Sequence, residues 1–272
     1  MAGSEAESSS LAFKVFTFKD DDENSEESLS VTIPEVLDPQ FGMYVWPCAV
    51  VLAQFLWNRR RELKNKTVLE LGAGVSLPGV VASLLGSSVL LSDSAELPQC
   101  LKNCARSCHT NRLKVTAGQK SEVVQALGQR SEVTPNLGQR SEVVQVVGLS
   151  WGHISPRLLS LPKVDLVLGS DVFYDPQDFE SVLVTVSFLF RKNPLTQFWT
   201  TYQVRSSDWS LELLLSRWRM ACELVPLGVF EADKPELAGS RLPGNHSIQM
   251  MVITPGDGRW SLQQQHTDDN SM

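Results

Sequence analysis

The chain has 272 residues, 42% of them hydrophobic, with 31 acidic against 24 basic side chains, a net charge of −7 and a pI near 5.2. That size supports one substantial core, and the acidic balance argues against a broad nucleic-acid footprint, which needs a basic face to displace counterions. A basic peptide is the more natural partner.

The first ten residues, MAGSEAESSS, lack a basic start ahead of an apolar core and place Ala2 where myristoylation needs glycine. The most apolar long stretch, 44–57, is short and interrupted by Pro47 and Gln54, so no membrane span is expected. Five cysteines without framework spacing suit a reducing, intracellular compartment. The expected organisation is a disordered segment 1–10, one domain over 11–255 acting as a monomer, and a disordered tail 256–272.

In chain order, LAFKVFTFK and SLSVTIPEV predict a strand hairpin over 11–37, joined by the acidic segment DDDENSEE. MYVWPCAVVLAQFLWNRRREL reads as an extended entry into a buried helix, with Arg59, Arg60 and Arg61 complementing its C-terminal dipole. Next comes VLELGAGVSLPGVVASLLG, an apolar strand, a loop carrying Gly72 and Gly74, a helix with Pro78 in its first turn, and Gly86 as a left-handed stop. The loop lacks the Gly-Lys-Ser/Thr of a phosphate loop and has Leu77 where a dinucleotide fingerprint needs a small residue.

Glu70 before the glycines would repel a pyrophosphate and welcome a cation instead. Asp93, at the end of SSVLLSD, can accept hydrogen bonds from two ribose hydroxyls. The two acids together favour S-adenosylmethionine, a sulfonium, over a nicotinamide dinucleotide. Cys100, Cys104 and Cys108 share one face of a helix over 97–108, but span about 12 Å along its axis, too far to bind one metal together. No metal site is expected, and the three thiols read as packing groups.

The segment 118–147 holds three decapeptides, GQKSEVVQAL, GQRSEVTPNL and GQRSEVVQVV. Their period is too short for a solenoid, so an insertion over about 114–143 is expected to be a mobile loop, with Val143–Val147 rejoining the sheet. Further strands are predicted at 164–169, 196–202, 222–226 and 247–254, and helices at 176–190 and 208–220. Asp175 is expected to cap a helix starting at Pro176. The alternation of strands and helices implies a largely parallel α/β sheet covered on both faces, with Glu70, Asp93, Trp151 and Asp171 at the strand ends where such sheets bind ligands. Asp171 and Tyr174 in SDVFYD occupy a strand-to-helix turn, where a carboxylate and a phenol can orient a nucleophilic nitrogen.

Trp46 in GMYVWPCAVVLA, the loop ELGAGVSLPG, the acid of LLSD, Trp151 in GLSWG and the Asp-x-x-Tyr spacing of SDVFY together resemble the seven-strand methyltransferases of the small lysine-methyltransferase-like family. The resemblance spans roughly residues 40–255 apart from the repeats. It implies a Rossmann-like sheet of order 3-2-1-4-5-7-6 with the last strand antiparallel. It also implies that Glu70 with Gly72, Ala73 and Gly74 holds the methionine part of S-adenosylmethionine, Asp93 the ribose, and Trp151 flanks the adenine. Trp46 and Ser170 complete the cofactor wall, and Asp171 and Tyr174 face the acceptor nitrogen.

Family members methylate protein side chains, often on chaperones and other folding or translation proteins. The part of the family that these segments most resemble is associated with histone arginine methylation and a nuclear, transcription-linked role, with nucleus and cytoplasm as expected locations. The paired-glutamate loop of dedicated arginine methyltransferases is absent, so arginine as acceptor is implied by the resemblance alone. Lysine must lose its proton, whereas a guanidinium needs its charge held by carboxylates; Asp171, Asp175, Asp178 and Glu180 fit either. A dinucleotide-dependent oxidoreductase and a non-catalytic binding module, pairing with chaperones or a transcription factor, are the competing classes.

Overall fold

The computed structural model describes residues 11–20, 27–36, 42–117, 143–206, 210–242, 247–256 and 260–262. The decapeptides up to residue 142 and the expected terminal segment 1–10 lie outside these residues. In chain order the elements are β1 (Leu11–Lys19), β2 (Ser28–Val36), α1 (Pro47–Asn58), α2 (Arg60–Leu63), β3 (Thr67–Glu70), α3 (Leu77–Leu84), β4 (Ser88–Asp93), α4 (Pro98–Thr110) and β5 (Lys114–Ala117). There follow β6 (Val143–Gly148), α5 (Pro156–Leu159), β7 (Leu166–Ser170), α6 (Phe179–Lys192), β8 (Gln197–Gln203), α7 (Leu211–Arg217) and β9 (Met220–Val225). After a 3₁₀ turn at Leu227–Phe230 come β10 (Glu236–Leu237), β11 (Ser240–Arg241), β12 (Ile248–Pro255) and β13 (Trp260–Leu262).

The central sheet runs β5-β6-β4-β3-β7-β8-β12-β9-β13. Its inner seven strands reproduce the expected 3-2-1-4-5-7-6 order, and β12 is antiparallel to both β8 and β9. Two edge strands are additional: β5 pairs parallel with β6, within the segment expected as insertion, and β13 pairs parallel with β9, within the segment expected as tail.

Period-two alternation assigns the faces. Val68, Val89, Leu91, Leu166 and Leu168 join α1, α3, α4 and the β1–β2 hairpin in one core, while Leu69, Leu90 and Val167 join α6 and α7 in the other. The middle residues of these parallel strands are apolar on both sides because both faces of the sheet are covered. Asp165 sets their start, accepting from the Thr67 amide at 2.8 Å while its own amide donates to the Thr67 carbonyl at 2.8 Å.

Three local expectations change. Arg59–Arg61 do not sit in the last turn of α1; Arg60 instead pairs with Asp20 and Glu27, at the two ends of the hairpin loop, and stacks 4.4 Å over the Trp57 ring. Asp175 does not cap a helix at Pro176: it accepts from the Gln177 amide in a turn, and α6 begins at Phe179. Cys104 and Cys108 are fully buried against the sheet core and Cys100 packs with Val36 and Met43, which is the packing role expected of them. On the hairpin's flank, the Asn111 side chain bonds both the amide and carbonyl of Thr32, tying β2 to the end of α4.

Parallel neighbours need a long return connection. Deleting one decapeptide, 118–127, leaves residues 128–142 for the return from β5 to β6, and Tm should stay within about 2 °C of the parent. Deleting 118–137 leaves only 138–142, and β5 should then detach. Hydrogen exchange at the Val115 and Thr116 amides distinguishes the two outcomes.

Candidate active site

The loop after β3 is sewn to both neighbouring strands. The Leu71 amide donates to the Leu168 carbonyl at 2.9 Å, the Ala73 amide to the Ser92 carbonyl at 2.9 Å, and the Gly74 amide to Asp93 Oδ2 at 2.8 Å. Gly72 and Gly74 have φ of +60° and +53°, the left-handed region that favours glycine. A Cβ on Gly72 would stand 2.8 Å from the Trp151 ring, and one on Gly74 would stand 3.0 Å from the Gly42 Cα. The pattern Gly-Ala-Gly thus lets an indole and a second chain segment approach the loop backbone.

Above this loop, beyond the carboxyl ends of the strands, lies a cavity of about 340 Å³. Gly72, Ala73 and Gly74 line it together with Asp93 from the end of β4. Trp46 enters from the segment preceding α1, with the Tyr44 ring 4.8 Å away, and Trp151 from the loop after β6. Ser170 comes from the end of β7 and Asp171 and Tyr174 from the turn after it, and Tyr174 meets Trp151 edge-on at 6.4 Å. Arg205 completes the wall from the segment after β8, a residue that no motif in the sequence singled out.

Glu70, expected at the methionine part of the cofactor, is not among the residues that line this cavity. It is buried beneath the loop, where Oε2 accepts from the Gly79 amide at 3.0 Å and Oε1 has no hydrogen-bond partner. Gly79 must be glycine for this: a Cβ there would stand 2.4 Å from Glu70 Oε2 and 2.2 Å from a Leu91 methyl. Burial pushes the Glu70 carboxyl up to about 8, opposed by the Gly79 amide and reinforced by Asp93.

Asp93 faces the cavity, with Oδ2 on the Gly74 amide and Oδ1 on the Ser94 amide at 2.8 Å. Burial raises its carboxyl above the usual range, and the two amides pull it back. Each oxygen keeps a second lone pair for a hydroxyl. Tyr174 is shifted upward by burial first and then by the nearby Asp178 and Asp175. Asp171, 8% exposed at φ +56°, is held by Arg205 through a two-point fork, Nη1 to Oδ1 at 2.9 Å and Nη2 to Oδ2 at 2.5 Å.

These residues fit S-adenosylmethionine. A glycine loop open to close approach and a paired-hydroxyl acceptor meet at a cradle in which added Cβ atoms would clash, and aromatic rings flank it on two sides. Among the described residues, no group of three His, Cys, Asp or Glu is placed to hold a metal ion.

Two expectations follow. Because the folded Glu70 binds its proton far more tightly than an unfolded glutamate, the folded state holds the extra proton between about pH 4.5 and 8, and stability falls as pH rises through that window. Glu70→Gln should therefore gain Tm relative to the parent as pH goes from 5 to 8.5 in thermal melts. Asp93→Ala should weaken S-adenosylhomocysteine binding by about 1.5–3 kcal/mol in calorimetry, and should also lower Tm because two loop amides lose their acceptor.

A family model described as lysine methyltransferase matches residues 25–118 and 104–211. The chain is 52% identical to the histone-arginine methyltransferase METTL23 of Xenopus laevis over 241 residues, 89% of this chain and 91% of that one. It is 52% identical to the Homo sapiens histone-arginine methyltransferase METTL23 over 212 residues, 78% of this chain and 97% of that one. To the protein N-lysine methyltransferase METTL21A of Danio rerio it is 33% identical over 145 residues, 53% of this chain and 54% of that one.

Proposed function

As a member of the lysine methyltransferase family, this chain is a methyltransferase that uses S-adenosylmethionine, and we propose that its acceptor is an arginine side chain on a basic protein segment, a histone tail. The observation that carries this reading is the convergence of Asp171, Tyr174 and Asp178 on one wall of the cofactor cavity. Carboxylates there suit a cationic acceptor, and relatives at 52% identity bear the histone-arginine name.

S-adenosylmethionine, when bound, supplies an electrophilic methyl group on a sulfonium. Asp93 would hold its ribose, the Gly72–Gly74 loop its methionine part, and Trp151 and Trp46 would flank it. Tyr174 and Asp171 do the remaining work, which is to place the acceptor nitrogen in line and restrain its rotation. The nitrogen loses a proton as its new bond to carbon forms, and a cavity-wall carboxylate relays that proton to solvent. The indoles exclude water from the same space.

The same reading has the protein acting as a monomer in nucleus and cytoplasm in transcriptional regulation, meeting chaperones or a transcription factor without direct nucleic-acid or membrane contact. The competing reading, lysine methylation of a chaperone, is favoured by the description of the family model.

Incubation of the purified protein with labelled methyl donor and core histones, followed by mass spectrometry, should reveal methylarginine. Methyl-lysine on a non-histone protein, with unmodified histones, would replace the acceptor assignment. Tyr174→Phe should lower kcat by about 10- to 100-fold while leaving cofactor affinity within about twofold, read by initial rates and calorimetry.

A further inference from the structure

We propose that the Asp171 carboxylate is a seat for a guanidinium, and that Arg205 is its resident occupant, which the acceptor arginine displaces. This rests on the arginine-acceptor reading above and gives that acceptor a place in the cavity.

The seat is built from fixed parts. Asp171 follows β7 directly, and its amide donates to the Thr201 carbonyl of β8 at 2.7 Å, which holds the residue at its left-handed φ. Its Oδ1 also accepts from the Gln203 amide at 3.3 Å. The side chain is 8% exposed, so its orientation is set before any ligand arrives. A carboxylate this buried is costly without a counterion, and a guanidinium meets both of its oxygens with parallel N–H bonds.

The occupant is less confined than the seat. The Arg205 side chain is 31% exposed. The Val204 amide just before it donates to the Ser247 carbonyl at 2.9 Å, which holds this end of β8 in place. Among the described residues, Arg205 Nη1 also donates to the Gln203 carbonyl at 3.1 Å. Rotation about its own side-chain torsions can therefore carry the guanidinium toward solvent without breaking the sheet.

Charge argues in the same direction. Asp93, Glu96, Asp171 and Asp178 line the cavity as acids, and among the described lining residues Arg205 is the base. Asp171 and its hydrogen bonds hold the Arg205 guanidinium above its ordinary range, as a desolvated fork-to-fork pair does. Exchanging one guanidinium for another preserves both bonds and the neutral pair. A lysine ammonium is a point charge and cannot reproduce the fork, so the seat discriminates in favour of arginine. Ser170 and Tyr174 line the same cavity as Asp171, so a guanidinium held there lies on the wall assigned to the acceptor.

The test is chemical replacement of the missing side chain. Arg205→Ala, shown to be folded by its S-adenosylhomocysteine binding, should bind methylguanidine at least tenfold more tightly than the parent in calorimetry. It should not take up methylammonium, and Arg205→Ala/Asp171→Asn should bind neither. Should Arg205→Ala fail to fold, Arg205→Lys replaces it: methylguanidine should raise the Tm of that variant and methylammonium should not. A folded variant that ignores methylguanidine, or binds it equally with Asp171→Asn, overturns the seat. Methylguanidine binding as expected, with no arginine methylation of any histone, would leave the seat standing and remove the acceptor reading.

Discussion

The bond from the Gly74 amide to Asp93 Oδ2, 2.8 Å long, is the constraint on which the rest of the site depends. It joins the loop after β3 to the end of β4, so the floor of the cavity and its hydroxyl acceptor are one rigid piece. The bond needs Gly74 in a left-handed conformation, and that conformation in turn brings its Cα against Gly42. Close packing at Gly42 then sets where the following residues run, and Tyr44 and Trp46 reach the cavity because of it. A single backbone amide thus fixes the relation of three chain segments that are far apart in sequence.

Three carboxylates stand at or near the ends of adjacent strands, and each is reconciled with burial in a different way. Glu70 meets one amide and is pushed toward its protonated form. Asp93 is met by two amides and stays available to a hydroxyl. Asp171 is neutralised by a guanidinium fork. The low-dielectric surroundings that make each isolated carboxylate costly also make each of these partners specific, because a misplaced donor would leave an unpaired charge. Acidic residues at neighbouring strand ends are thus held by one amide, two amides and a guanidinium respectively.

Much of this was legible in the sequence. The apolar runs, the glycine loop, Pro78 and Gly86 locate β3, α3 and β4 because strand and helix periods and the conformational freedom of glycine are local properties. The pattern of Trp46, Gly72–Gly74, Asp93, Trp151 and Asp-x-x-Tyr identifies the family, and the structure brings all of these residues to one cavity. Glu70 was the exception. Its position two residues before Gly72 says that it ends a strand, but not whether its side chain turns up to the ligand or down to Gly79, since that depends on where α3 comes to rest.

Arg60 and Arg205 mark the same boundary. A run of three arginines after a helix has a local explanation in the helix dipole, yet Arg60 is claimed by Asp20, 40 residues away, once the hairpin packs beside α1. Arg205 lies 34 residues from Asp171, and no spacing rule links them; parallel pairing of β7 with β8 makes them neighbours. Local period, backbone freedom and recurring motif were enough to give most of the elements, the sheet class and most of the residues that line the cavity. Only the tertiary structure decided which charges meet, because an ion pair is a contact in space whose partners are chosen by strand order and by the burial that forbids either charge to stand alone.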